Sequence, residues 1–162
     1  MSRLRFEHLA FKPTHVRIFI DRSKADQYNV GDFVHIARTG KMTCPVRILR
    51  SYLKKAGITS DAFIFRGATK MKDGHVLRKA DKPISYTTLR DDVLKAIGAI
   101  GLDRSRFCLH SMRRGGATYA ANNGVSDRLF KKHARWSSEN AKDKYVMEDL
   151  TALLSVSQNL GI

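Results

Sequence analysis

Apolar and polar residues alternate in two segments near the start of the chain. In HVRIFID and DFVHIAR apolar side chains occupy every second position: Val16, Ile18 and Ile20 in the first, Val34 and Ile36 in the second. A period of two is typical of strands with one buried face. The polar stretch RSKADQYNVG separates the two segments. We therefore predict an antiparallel hairpin with a long basic turn that contains Lys24.

The apolar residues take a helical period after Pro45. Val46, Leu49 and Leu53 form a stripe, Pro45 suits a first helical turn, and Gly57 suits the stop. A less regular stretch follows, with turn signals at Gly67 and Asp73-Gly74.

Helical patterns fill the rest of the chain. We predict a helix that begins near Thr87 or Thr88, a helix from about His110 to Asn123, a short helix capped by Ser126 that runs through Phe130, a helix capped by Ser137 or Ser138 that reaches Tyr145, and leucines at roughly helical spacing in the tail (Leu150, Leu153, Leu154 and Leu160). One small antiparallel sheet followed by helices indicates an α+β fold that is mostly α. With 162 residues and no repeat, we expect a single domain over residues 1–162.

Charge narrows the class of partner. Thirty Lys and Arg against fifteen Asp and Glu give a net charge of +15, which favours a polyanion, most often nucleic acid. A membrane surface fits less well, because the basic residues run from Arg3 to Lys144 without one dominant block, and the longest nearly apolar run, AIGAIGL, is too short to span a bilayer. Cys44 and Cys108 form no zinc spacing, which predicts reduced thiols in an intracellular protein.

The segment LHSMRRGGATYA carries candidate chemistry. His110 and Arg113 are three residues apart, so they point to the same side of a helix and both can donate hydrogen bonds to a phosphate. Gly115 and Gly116 are costly inside a helix, which suggests a close approach to another helix or to a DNA backbone. A solvated helix face is the alternative reading of the same residues.

Tyr145 follows Trp136 by nine residues in RWSSENAKDKYV. A tyrosine can attack a phosphodiester, but its ordinary pKa of about 10 requires nearby positive charge or a proton acceptor. The alternative is a half-buried tyrosine with a hydrated hydroxyl.

The chain resembles the catalytic domain of the tyrosine recombinases, also called the phage integrase family, because five short motifs follow one another in the order typical of that family. The resemblance assigns the first arginine to Arg5 in RLRFEHL, the hairpin lysine to Lys24 in DRSKADQY, the HxxR motif to His110 and Arg113, the His/Trp position to Trp136 (as in Cre-like members), and the nucleophile to Tyr145. His8 stands where the family commonly has an acidic residue, and Arg135 where it usually has glycine. Arg3, Arg22 and His133 are competing candidates for the roles of Arg5, Lys24 and Trp136.

The resemblance implies a DNA cleavage and rejoining enzyme that forms a 3′-phosphotyrosyl link and needs no metal or other cofactor. Arg5 and Arg113 would neutralise the phosphate, His110 would assist it or accept the proton of Tyr145, and Lys24 would protonate the leaving 5′-oxygen. It also implies that the chain lacks the first helices of the catalytic domain and an upstream DNA-clamping domain.

The implied partner is double-stranded DNA, with a tetramer on DNA, a monomer without it, and an intracellular, DNA-associated location in a nucleus or a bacterial cytoplasm. Basic residues near these motifs are expected to contact DNA: Arg22, Arg114, Arg135, Lys142 and Lys144. The alternatives are a type IB topoisomerase-like enzyme, an inactive DNA-binding relic of a mobile element, and an RNA-binding domain, although the aromatic motifs of an RRM are missing.

Overall fold

The computed structural model describes residues 3–21, 30–59, 62–78, 82–136 and 138–160. It divides into two compact units, Met1–Asp92 and Val93–Ile162. All the strands of the described ranges lie in the first unit, and the second unit is helical. Helix α2 (Tyr86–Ala99) contains the boundary, and it begins one or two residues before the predicted start.

The first unit contains a three-stranded antiparallel sheet in the order β1 (Leu9–Phe11), β2 (His15–Ile20), β3 (Asp32–Ala37). Val16 pairs with Ile36 and Ile18 pairs with Val34, so the alternating apolar residues oppose one another. The predicted pairing of these strands is confirmed. Its basic turn, with Arg22 and Lys24, lies outside the described residues.

Helix α1 (Pro45–Lys55) begins and ends where the apolar stripe predicts, and Gly57 has a φ of +60°. Buried Val16, Cys44 and Val46 form one apolar cluster between sheet and helix. A second cluster comprises Leu53, Ile58 and Ile64. A hairpin of β4 (Ala68–Met71) and β5 (Gly74–Leu77) was not predicted, although its turn was.

The second unit continues from α2 into α3 (Leu109–Asn122), α4 (Asp127–Ala134), α5 (Glu139–Asp143) and α6 (Leu150–Gln158). Helix α4 runs four residues beyond the predicted end at Phe130, and α5 ends before Tyr145. Helices α3 and α4 pack together, and Ala117 and Phe130 are buried. No helix in the described ranges is long and apolar enough to cross a membrane.

Candidate active site

The first turn of α3 carries His110 and Arg113, both exposed. The helix begins at Leu109 because Cys108 stands at the N-cap, where its backbone N–H donates to Ser111 Oγ at 3.0 Å. Arg113 Nη2 donates to the carbonyl of Ala134, the last residue of α4, at 2.5 Å. This bond ties the catalytic candidate on α3 to the end of the neighbouring helix.

Helix α4 ends in a left-handed residue. Arg135 has φ 55° and ψ 47°, and its N–H donates to the last-turn carbonyls of Lys131 and Lys132. The N–H of Trp136 donates to the carbonyl of Lys131 at 3.1 Å, which completes a helix C-cap. Glycine is the residue that adopts this conformation most easily. The left-handed backbone therefore explains why the family that this segment resembles usually has glycine at the position of Arg135.

Tyr145 meets three of the predicted site residues. Its hydroxyl lies 3.4 Å from His110 Nδ1, and its ring centroid lies 5.3 Å from that of Trp136. The Arg113 guanidinium carbon lies 4.9 Å from the Trp136 ring centroid and 5.6 Å from that of Tyr145. Phe130 packs edge-on against Trp136, with ring centroids 6.2 Å apart. We name His110, Arg113, Trp136 and Tyr145 the tyrosine cluster.

The arrangement of the tyrosine cluster suits phosphate chemistry. A potential nucleophile stands beside an imidazole that can accept a proton, and beside a guanidinium that remains positively charged and can bind two oxygens at once. Trp136 has no acid–base function, but its ring packs against Phe130, Arg113 and Tyr145. Within the described ranges, no group of three or more His, Cys, Asp or Glu side chains could hold a metal ion.

Two polar side chains of α3 hold the backbone that carries Tyr145. Thr118 Oγ1 donates to the carbonyl of Tyr145 at 3.2 Å and accepts the N–H of Met147 at 3.2 Å. Asn122 Nδ2 donates to the carbonyl of Met147 at 3.3 Å. We call Tyr145–Met147 the tyrosine segment. The spacing along the helix does not point to Thr118 and Asn122, because they follow His110 by eight and twelve residues and so lie about 80° and 120° around the helix axis from it.

Lys142 does not fit its predicted contact with DNA. Its side chain is only 8% exposed, and its ammonium pairs with Asp127, with Glu139 at 3.1 Å and with Asp143 at 3.2 Å. The hydrogen bond with Asp127 raises the pKa of Lys142 well above its usual range, and burial opposes this only in part. The charge of Lys142 is therefore used inside the unit, where it fastens α5 to the start of α4, and we leave it out of the proposed DNA interface.

Arg5 lies in the first unit and precedes a 3-10 helix at Phe6–His8. Its backbone N–H donates to His8 Nδ1 at 3.2 Å, and its guanidinium carbon lies 4.1 Å from the Phe63 ring centroid. A carboxylate at the position of His8 could accept the same N–H, as in a capping box, so His8 supplies an equivalent acceptor. That Arg5 and Lys24 join the tyrosine cluster stays a prediction.

The remaining candidates are basic residues at different degrees of exposure. Arg114 and Lys144 are exposed, Arg135 is half-buried, and the competing candidates Arg3 and His133 are exposed. Gly115 and Gly116 are exposed as well, and a Cβ added to either would meet no described atom within 4 Å apart from the adjacent residues and backbone of its own helix. Contact with another described helix therefore does not account for these two glycines.

Comparison with known proteins supports the predicted resemblance to the tyrosine recombinases. An integrase/recombinase xerD homolog from Selenomonas ruminantium is 32% identical over 147 residues, which cover 90% of this chain and 41% of the relative. The resemblance to the tyrosine recombinases is confirmed. The chain spans about two fifths of the length of that curated relative. No family model matches the chain.

Solved structures show the same recombinase fold. The XerH site-specific recombinase bound to palindromic difH substrate, in a post-cleavage complex, matches with a TM-score of 0.71 and 14% identity over 98% of this chain and 40% of that chain. The pre-cleavage complex of XerH with difH substrate matches with a TM-score of 0.63 and 16% identity, over 99% and 42% of the two chains. The predicted fold, a mostly α tyrosine-recombinase catalytic core, is confirmed.

Proposed function

We propose that residues 1–162 are the catalytic part of a site-specific DNA recombinase that cleaves and rejoins DNA through Tyr145. The observation that carries the proposal is the tyrosine cluster, in which the Tyr145 hydroxyl lies 3.4 Å from His110 while Arg113 contacts the tyrosine ring. The recombinase relative and the recombinase fold support it.

In the proposed reaction, Tyr145 Oη forms a bond to the scissile phosphorus as the bond from phosphorus to the 5′-oxygen breaks. The products are a 3′-phosphotyrosyl link and a free 5′-hydroxyl. His110 Nδ1 takes the tyrosine proton, and Lys24 gives a proton to the 5′-oxygen. Arg113 and Arg5 stabilise the added negative charge on the non-bridging oxygens, a type of contribution worth roughly 3–4 kcal/mol per donor. Rejoining reverses these steps with another 5′-hydroxyl.

Covalent trapping tests the proposal. The chain is incubated at low salt with nicked duplexes whose central sequence is randomised, so that cleavage releases a short fragment and leaves the adduct trapped. We expect a phosphotyrosyl adduct with the unmodified chain and none with Tyr145→Phe. Tyr119→Phe is the matched control, because Tyr119 is an exposed tyrosine on α3 and should leave the adduct unchanged.

Two outcomes would contradict the proposal. An adduct with Tyr145→Phe would show that Tyr145 is not the nucleophile. No adduct with the unmodified chain, together with retained DNA binding, would favour the inactive relic. Sequencing the trapped DNA would identify the target site, and relaxation of supercoiled plasmid without strand exchange would favour a topoisomerase-like enzyme.

We also propose that the chain binds double-stranded DNA as a monomer that assembles into a tetramer on the DNA. Arg114, Arg135 and Lys144 would contact phosphates near the tyrosine cluster, and Arg22 would do so from the first unit. Helix α6 supports self-association, since it exposes apolar side chains: Leu150, Leu153, Leu154 and Val156. Sedimentation with and without duplex DNA tests this, and Leu153→Asp should keep the chain monomeric on DNA.

A further inference from the structure

Tyr145 lies beyond the end of α5, in a segment without regular secondary structure. Helix α5 ends at Asp143 and α6 begins at Leu150, and the Tyr145 N–H still donates to the carbonyl of Lys142 in α5 at 2.8 Å. A nucleophile must nevertheless be held close to its productive geometry, since a displacement of about 1 Å can cost about 100-fold in rate. Bonds to α5 extend only to the Val146 N–H, which donates to Asp143 at 3.3 Å, so the Tyr145 carbonyl and the Met147 N–H depend on another part of the unit.

Thr118 makes the contacts that could do so. Its hydroxyl donates to the carbonyl of Tyr145 and accepts the N–H of Met147. One side chain therefore binds the backbone on both sides of Val146. Thr118 is half-buried and lies on α3, the same helix that carries His110 and Arg113. The helix therefore contacts the tyrosine at its hydroxyl through His110 and at its backbone through Thr118.

We propose that Thr118 is a positioning residue for Tyr145. By holding the tyrosine segment against α3, it keeps the Tyr145 hydroxyl beside His110 and Arg113 of the same chain. Asn122 assists from the next turn through the Met147 carbonyl. The proposal rests on the proposed function only in its catalytic consequence, because the position of the ring can be measured without DNA.

The first measurement is the NMR spectrum of the full chain with labelled tyrosine rings. The Tyr145 ring lies 5.3 Å from the Trp136 ring, so the indole displaces its resonances. In Thr118→Val, which keeps the shape and loses both hydrogen bonds, we expect the Tyr145 signals to move towards their unfolded positions. The Met147 amide should exchange with solvent faster, while the other tyrosines keep their signals. Thr118→Ser retains the hydroxyl and should restore the Tyr145 signals.

Two adjacent asparagines give a matched pair of variants that avoids the half-buried site. Asn122 donates to Met147, whereas Asn123 donates to the Tyr119 carbonyl of its own helix at 2.8 Å. Both are exposed, so neither replacement by alanine should prevent folding. We expect Asn122→Ala to move the Tyr145 signals in the same direction as Thr118→Val and Asn123→Ala to leave them in place.

The second measurement is the rate of adduct formation with the nicked duplexes. Thr118→Val should lower this rate by about 10–100-fold. DNA affinity should change by less than about twofold, because phosphate-binding cations supply most of it and Thr118 carries no charge. Tyr145 signals that stay in place in both Thr118→Val and Asn122→Ala would overturn the inference. Lack of an adduct with the unmodified chain would instead overturn the proposed function, and the NMR result would still decide the role of Thr118.

Discussion

Replacing Arg135 by glycine should stabilise the second unit. Arg135 is the one described non-glycine residue with positive φ, at φ 55° and ψ 47°. This conformation costs a residue with a Cβ atom about 1–2 kcal/mol. Glycine avoids that cost but loses about 0.5–1 kcal/mol more chain entropy on folding. The expected net gain is about 0.75 kcal/mol at the centre of these ranges, which corresponds to a rise in Tm of about 1.5–3 °C for a chain of this size.

Urea unfolding followed by tryptophan fluorescence measures this gain at the right place. Trp136 is the only tryptophan of the chain and immediately follows the substituted residue. Arg135→Ala is the matched control, because it removes the guanidinium and keeps the Cβ atom. Arg135→Asn should fall between alanine and glycine, since asparagine tolerates the left-handed region. The expected order of stability is glycine, asparagine, then alanine close to the native arginine.

Two results would refute this reasoning. If Arg135→Gly were no more stable than the native chain, the left-handed backbone would carry no cost. If Arg135→Ala gained as much as Arg135→Gly, relief of charge repulsion would explain the gain. DNA affinity should fall in both Arg135→Gly and Arg135→Ala, because each variant loses one proposed phosphate contact. The slope of log K against log salt concentration should then become less steep by about 0.9.

Two further predictions concern other parts of the second unit. Gly115→Ala and Gly116→Ala should each raise the free energy of unfolding by up to about 1 kcal/mol, because the space around both glycines is open. The same variants should form less covalent adduct if α3 lies against a DNA backbone, and unchanged trapping would argue against that approach. The second prediction concerns the stability of the chain at low pH. Hydrogen bonds from Lys131 and Lys142 lower the pKa of Glu139 below its ordinary 4.5. A carboxyl with a lowered pKa stabilises the fold above its unfolded pKa, and this contribution is lost as pH falls through the folded value. Urea unfolding between about pH 5 and 3 should therefore show a steeper loss of stability for the native chain than for Glu139→Gln, and equal slopes would contradict the assigned ion pairs.

The sequence predicts best the elements whose pattern is long enough to show a period. The six-residue strands β2 and β3 and the eleven-residue helix α1 display their buried faces directly. The three-residue strand β1 is too short to show an alternation. The strands β4 and β5 are almost wholly exposed, so they show no apolar face, and only their turn is recognisable.

The sequence was sufficient to predict which residues form the candidate site, but not all of the contacts that hold them in place. Motif order identified His110, Arg113, Trp136 and Tyr145, and the structure gathers them. The burial of Lys142 was not predictable, because its three carboxylate partners come together only when α4 and α5 pack. Thr118 escaped notice for a related reason, since its hydrogen bonds go to backbone atoms, which carry no sequence signal.

The contacts of helix α3 also determine where the second unit can accept an inserted or deleted residue. It carries His110 near one end and Thr118 and Asn122 near the other, and both ends touch the tyrosine segment. Inserting or deleting one residue between them would rotate the two groups by about 100° and shift them by about 1.5 Å along the axis. The interval from His110 to Thr118 is therefore fixed in length to the single residue, whereas an added residue in the turn at Asn123 and Gly124 would leave the relative positions of His110 and Thr118 on α3 unchanged.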